Sequence, residues 1–494
     1  MSVSIIKQPS ELQPVYNQMI IAVTGSYQNQ PNHNFVSTLQ VNGVTASRLK
    51  VPTNPEGYGV FDIHKHVENR VEYNFDPSAV GLNPATNSFA TYSLSFAEEF
   101  RYEFEFYDNQ FTTGAFIGFI GLSGGSQPLF TTGDEIVVNQ TAPFTNASYE
   151  GTAIVTEIQF ITASNAWLVN TNKSFGVNTP PEGGFIYLSN FRLTTVGSTS
   201  SISKQFAWNG VYSHLDFINF DPTPFVPDST TPAKWMTSIK TNTELDRDER
   251  MWLMAYKNAD NQQKDLMIQT NNGTYRITSL YSAGVSTNDS YRFIHAAVGP
   301  WHLINATSSF TAIGTASFPM IDSNTKEYSV FYRNQILQQD TETLTFKLKS
   351  KCSKYEKIQL VFLDKLGSFI PFTFTLVSRK NKDIKRTDYS EITGQYAPAS
   401  QAWDYKSYDR GKKVLNIMVN EVYSITSDWV KQSESDYLMD LFESPEVYWI
   451  TEDGTTIAIN ITSNAIEHKK TINDQIINYT LTFELSFKNN YQKS

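Results

Sequence analysis

Three stretches of this chain alternate with a period of two. In "PFTFTLV", Phe372, Phe374 and Leu376 share one side, with Thr373, Thr375 and Val377 on the other. In "FRYEFEFYD", Phe100, Tyr102, Phe104 and Phe106 oppose Arg101, Glu103 and Glu105. In "NYTLTFELSF", Tyr479, Leu481, Phe483, Leu485 and Phe487 all fall on alternate positions. Only a strand puts such a set on one face, because side chains alternate across a sheet and spiral around a helix. Gly, Asn, Thr and Ser punctuate these runs, and helical-period stretches are few. At 494 residues the chain is too long for one ordinary core. The expected fold is therefore mainly β, with several β-sandwich-like modules and few short helices. One helix is clear near the C-terminus, in "SESDYLMDLFESP". Tyr437, Leu438, Leu441 and Phe442 form its apolar stripe and Pro445 stops it.

Turn signals organise the rest. Asn42-Gly43, Asn272-Gly273 and Asp453-Gly454 each predict a hairpin. Pro222, Pro224, Pro227 and Pro232 read as an extended connection between subdomains. In "GVFDIHKHVENRVEY" a strand end leads into a short helix capped by Asp62. The expected division is an N-terminal β module over 1–85, a sandwich-like module over 86–220 and a connecting and hairpin region over 221–320. A β module with a basic exit follows over 321–390, then a C-terminal α+β module over 391–494. No short-period repeat marks a solenoid or propeller.

The net charge is -10, from 39 Lys and Arg against 49 Asp and Glu. That balance argues against a general nucleic-acid binder, which needs a concentrated positive field. It suits protein partners with basic patches. With Cys352 as its single cysteine the chain can form no internal disulfide and no cysteine-based metal site. This fits a reducing cytoplasm or a particle assembled there. "MIIAV" is too short for a signal core, and no run approaches a membrane span. The chain is thus expected to be neither exported by the usual route nor integral to a membrane.

Reactive constellations are sparse. His64 and His66 would share a face on a strand and could bind zinc, but on a helical turn they point apart. "GAFIGFIGLSGG", residues 114–125, matches no phosphate loop and reads as a packed apolar loop or a partner contact. Asp246, Asp248 and Glu249 could supply an acid–base pair for glycoside hydrolysis, or charge a helix N-terminus beside Arg247 and Arg250. Cys352 reads as a small buried apolar residue. No catalytic, cofactor or metal residue is assigned. "RKNKDIKR", residues 379–386, gathers Arg379, Lys380, Lys382, Lys385 and Arg386 directly after a strand. With no aromatic residue interleaved it lacks a stacking platform for single strands. It reads as a charged exit from a sheet, protected from edge pairing and placed to meet an acidic neighbour.

Two blocks carry a resemblance. "CSKYEKIQLVFLDKLGSFIPFTFTLVSRKNKDIKRTDY" resembles a recurring segment of structural tail proteins from Bacteroidetes-infecting tailed phages, including the crAss-like phages. Cys352, Leu366, Gly367, Phe369, Phe372, Thr373 and Phe374 match it, while Ile370-Pro371 departs from it. The helix, Ser-Pro, hairpin and final strand from Ser435 onward are similar to the C-terminal parts of the same proteins, and Trp208-Asn209-Gly210 is a weaker match. The resemblance covers about half the chain. It implies a non-enzymatic virion component: a tail ring, hub or baseplate-like protein, assembled in the host cytoplasm as a homo-oligomeric ring. Other tail or portal-proximal proteins and tail fibres would be its partners, with no cofactor. The alternative is a receptor- or glycan-binding adsorption protein of the tail, motivated by the 14% aromatic content.

Overall fold

A computed structural model describes residues 3–30, 32–73, 75–100, 103–105, 117–120, 131–140, 151–162, 166–172, 184–188, 193–194, 200–228, 231–257, 264–278, 289, 291–305, 307–334, 336–349, 353–463 and 477–487. The fold is mainly β, with several sheets arranged as sandwich-like layers. Among the described residues the α-helices are four and short: His64–Glu68, His214–Ile218, Pro300–Asn305 and Gln432–Glu443. Contacts divide the chain into two compact units, residues 1–71 with 90–208 and residues 72–89 with 209–494.

In the first unit, a three-stranded sheet runs Ser4–Lys7, Ile20–Thr24, Gly59–Asp62. A larger sheet runs Leu12–Pro14, Ser201–Trp208, Phe89–Glu99, Asn34–Val41, Val44–Pro52. Ile21, Val23 and Phe61 from the small sheet and Phe35, Leu39, Tyr92 and Phe96 from the large one form a single core. Each such side chain contributes about 1.5–3 kcal/mol by leaving water, which selects this register over a one-residue slip. The Asn42-Gly43 hairpin forms as expected. Val41 pairs with Val44, and both loop residues take positive φ (51° and 77°), the condition for a type I′ turn. Residues 103–188 supply a further six-stranded sheet. Of the expected strand at 100–106, Glu103–Glu105 is a strand, Phe100 is buried, and Tyr102 and Phe106 lie outside the described residues.

The second unit is a two-sheet sandwich. Ten strands run in the order Arg379–Ser390, Lys412–Thr426, Thr480–Leu485, Thr456–Ile461, Val447–Ile450, Ile358–Leu363, Phe369–Phe374, Trp252–Tyr256, Phe293–Ala297, Leu82–Pro84. Six run Glu244–Leu245, Leu344–Leu348, Glu327–Asn334, Lys264–Thr270, Gly273–Thr278, Thr311–Ile313. Leu253, Leu360, Phe372 and Phe483 from the first sheet share a core with Leu266, Tyr275, Tyr328 and Phe346 from the second. The predicted helix spans Gln432–Glu443 and buries Tyr437, Leu438 and Leu441 in that core, with Phe442 half-buried. Tyr479, from the alternating C-terminal run, bonds the helix through Ser435 Oγ at 2.8 Å.

The departure at Ile370-Pro371 is accommodated by topology. Phe369–Phe374 pairs along its length with Ile358–Leu363, but its other edge meets Trp252–Tyr256 only at Trp252↔Phe369. A proline there removes no ladder bond from the unpaired edge. Gly367 turns the hairpin at φ +101°, and a Cβ at that position would sit 2.3 Å from Met254 Cε.

Several expectations are corrected. Thr270 pairs with Gly273, so the turn is Asn271-Asn272 and Gly273 opens the next strand. Residues 246–250 are a turn between strands, not a helix N-terminus. The proline-rich segment lies inside the second unit, contains a 3-10 turn at Thr223–Phe225 and buries Phe225. The boundary drawn at 321 falls between two strands of the six-stranded sheet, Thr311–Ile313 and Glu327–Asn334, and that at 391 between two adjacent strands of the ten-stranded sheet, Arg379–Ser390 and Lys412–Thr426.

Candidate functional site

The basic run is a strand, not a loop leaving a sheet. Arg379–Ser390 pairs antiparallel with Lys412–Thr426 over twelve rungs, from Arg379↔Ser424 to Ser390↔Lys412. All twelve residues of Arg379–Ser390 are exposed. Lys412–Thr426 joins the body of the sheet only through Val422–Thr426, which pairs with Thr480–Leu485. From Lys382↔Glu421 outward the two strands therefore form a ribbon with no third strand, nine residues long and about 30 Å in reach.

Cross-strand chemistry holds the ribbon together. Lys380, Lys382, Ile384 and Arg386 lie opposite Tyr423, Glu421, Val419 and Ile417 on one face. Glu421 takes both lysines, at 2.6 Å from Lys380 and 2.9 Å from Lys382. Hydrogen bonds from Lys380 and then Lys382 hold its carboxyl below the usual range. Lys380 also sits 5.2 Å from the Tyr423 ring centre. Further out, Lys412 pairs with Asp388 at 2.7 Å and Lys413 pairs with Glu391. Opposed charges across a sheet stabilise by a few tenths of a kcal/mol to about 1 kcal/mol each. A bulge between Thr387 and Asp388 leaves Leu415 as the extra residue, 58% exposed.

The tip, residues 391–411, carries a second small hairpin, Gln395–Ala397 with Ala402–Asp404. Trp403 Nε1 donates to the Thr393 carbonyl at 2.8 Å, over Gly394 at φ +87°. A Cβ at Gly394 would lie 2.5 Å from that nitrogen, so the indole seat requires glycine. Ile392, Tyr396, Trp403, Tyr405 and Tyr408 are all exposed on this tip. Such a concentration of exposed aromatics is the composition of interface anchors. From Arg379 to Thr426 there are nine basic and six acidic residues, which leaves thirty basic and forty-three acidic residues in the rest of the chain.

The other sequence candidates fall elsewhere. His64 and His66 lie on the helix His64–Glu68, whose N-cap position is Ile63, not Asp62. Asp62 still accepts the His64 amide at 3.2 Å and contacts His64 Nδ1 at 2.8 Å. Among the described residues no three His, Cys, Asp or Glu side chains gather as a metal site. Asp246 and Glu249 are buried and Asp248 is exposed. Glu249 accepts the Thr373 hydroxyl at 2.5 Å and the Asp246 amide at 2.9 Å, and Asp246 pairs with Lys357 at 2.6 Å. Burial pushes the Glu249 carboxyl up to about 7, with Lys349 opposing and Asp246 adding to the rise. These contacts tie the turn to Phe369–Phe374 and are a structural clamp. Cys352 and most of the 114–125 loop lie outside the described residues. Of that loop, Ile117–Ile120 forms a strand paired with Ala166–Thr171.

Sequence reasoning marked the basic run, though as an exit from a sheet and not as a strand, and missed its partner and the tip. The partner "KKVLNIMVNEVYSIT" alternates imperfectly, because its bulge shifts the phase at Leu415. A usable signal was present: two long polar strands flanking four aromatics in an otherwise polar loop.

No family model matches the chain, and no curated protein matches it. Among solved structures, one similar chain is the Bacteroides ovatus mixed-linkage glucan utilization locus SGBP-B, in complex with a mixed-linkage heptasaccharide. It is 8% identical over 98% of this chain and 100% of that chain, at a TM-score of 0.15. A likeness at that level carries no argument about fold or function.

Proposed function

We propose that this chain is a structural subunit of a phage tail or neck assembly, a ring, hub or baseplate-like component that forms a symmetric homo-oligomer. It docks other tail or portal-proximal proteins, works without catalysis or cofactor, and is assembled in the host cytoplasm. The observation that carries this reading is the 379–426 arm. A two-stranded ribbon in isolation is marginal in water, and this one exposes an aromatic tip that the described parts of its own chain leave uncovered. Such an arm gains stability by lying on a neighbour. Head-to-tail contacts between one subunit's arm and the next subunit's body close a ring without requiring self-complementary patches.

The test is a charge reversal with an internal control. Lys380→Glu with Lys382→Glu places three carboxylates together around Glu421, so the arm loosens and particle assembly falls. Adding Glu421→Lys restores the cross-strand pairs with the signs exchanged. In the triple variant we expect the arm to regain protease resistance while incorporation into virions stays low, because the neighbour reads the positive sign. Full incorporation of the double variant, or a chain never found in particles, would sink the proposal.

A further inference from the structure

At the root of the arm, the second unit holds an open cleft of about 1020 Å³ between Glu244–Arg247, residues 323–327, 347–349 and 353–357, and residues 428–434. Its frame is braced. Arg247 donates to the carbonyls of Asp322 and Thr325, each at 2.7 Å. Lys357 pairs with Asp246 at 2.6 Å, and Lys431 pairs with Glu244 at 2.5 Å. Those cations are committed to the fold.

Two others in the lining, Lys326 and Lys347, are exposed and form no ion pair among the described residues. Lys354 lies over the Tyr355 ring at 5.6 Å, and Lys349 faces buried Glu249. Lys349 and Lys347 help hold the Glu244 carboxyl low, but after Lys431. Two aromatic rings share the lining and remain exposed, Trp429 at 59% and Tyr355 at 42%. Acceptors are present too, in Glu327 and Asp428.

We infer that this cleft binds an acidic oligosaccharide, with uncommitted lysines taking its carboxylates or sulfates and Trp429 and Tyr355 stacking on its rings. The mixture of groups selects that class. A nucleic-acid strand carries a charge at every phosphate and would be repelled by Glu244, Glu327 and Asp428 in the same cleft. An acidic peptide would need a sheet edge to extend. The edge strand here, Glu244–Leu245, is two residues long and offers too short a template. A saccharide has dispersed charge, hydroxyls for the acceptors, and apolar C–H faces for the rings. Thr375, Leu376, Asp428 and Trp429 of the lining flank the root of the arm, so replacing the distant tip, rather than altering the arm's base, is the change that should leave this site intact.

The experiment is calorimetric titration of the full chain with short xylo-oligosaccharides bearing a single glucuronic acid, beside the neutral xylo-oligosaccharides of equal length, a thymidine oligonucleotide and polyglutamate. Lys326→Glu with Lys347→Glu alters two exposed lysines, and Trp429→Ala removes the larger ring. Lys349 is left alone because it also faces buried Glu249. We expect binding of the glucuronic acid-bearing oligosaccharide alone, weakening with salt, and a loss of about tenfold or more in each variant with an unchanged circular dichroism spectrum. No binding by the wild type at low salt overturns the inference. So does equal or tighter binding of the neutral sugar, the oligonucleotide or polyglutamate. Loss on lysine reversal with none in Trp429→Ala would reduce the cleft to a charge sink and overturn the saccharide assignment.

Discussion

At the scale of residues, Glu249 shows how a sequence cluster that resembles acid–base machinery serves packing instead. Its two oxygens are occupied by Thr373 and the Asp246 amide, while Asp248, one residue earlier, faces solvent. Burial raises its carboxyl from 4.5 to about 7. A carboxyl whose folded pKa exceeds its unfolded value contributes stability that is complete below the unfolded value. That contribution is lost as pH rises through the folded one. The window here runs from 4.5 to about 7. Glu249→Gln keeps both bonds, its oxygen accepting from the Asp246 amide and its nitrogen donating to Thr373, and it cannot ionise. We expect the variant to gain stability relative to wild type across that window, by on the order of 3 kcal/mol at its upper end. Thermal melts at a series of pH values read this directly. A constant difference from acid to neutral pH would show that Glu249 ionises freely in the fold.

At the scale of elements, the arm separates folding from assembly. Its strands pair out to Ser390↔Lys412, so residues 391–411 can be replaced by Asn-Gly, which closes a two-residue hairpin on the existing register. The removed tip buries none of its large apolar side chains in either core. The melting temperature of the shortened chain should therefore stay within about 2 °C of wild type, as for surface changes away from packed groups. Its oligomers should be lost, because the aromatic anchors go with the tip. Mass photometry of the two proteins at equal concentration makes the comparison. Undiminished oligomers would place the contact elsewhere on the chain.

At the scale of the whole molecule, charge is unevenly placed: a basic arm on a chain with a large acidic excess elsewhere. Contacts between arm and body in an oligomer should weaken as salt rises, since exposed charges are screened beyond about 4–5 Å at about 0.5 M ionic strength. Light scattering across a salt series should show dissociation before any loss of strand signal in circular dichroism. Oligomers that survive high salt unchanged would mean that the apolar tip alone holds them.

The β class, the terminal helix with its buried stripe, and the Asn42-Gly43 turn were legible because each depends on local periodicity or on a backbone angle few residues adopt. Tyr437, Leu438 and Leu441 are spaced for one face, and that face is the buried one. What was not legible depends on distant partners. Glu421 neutralises Lys380 and Lys382 from across the ribbon, about forty residues away in sequence, and nothing in "RKNKDIKR" announces it. The chain by itself determined the strands whose apolar side chains alternate, such as Phe369–Phe374 and Thr480–Leu485, since alternation is a property of each segment alone. Only the tertiary structure decided which strand is an edge, which charges cancel and which aromatics stay uncovered, because pairing and burial are set by what lies alongside.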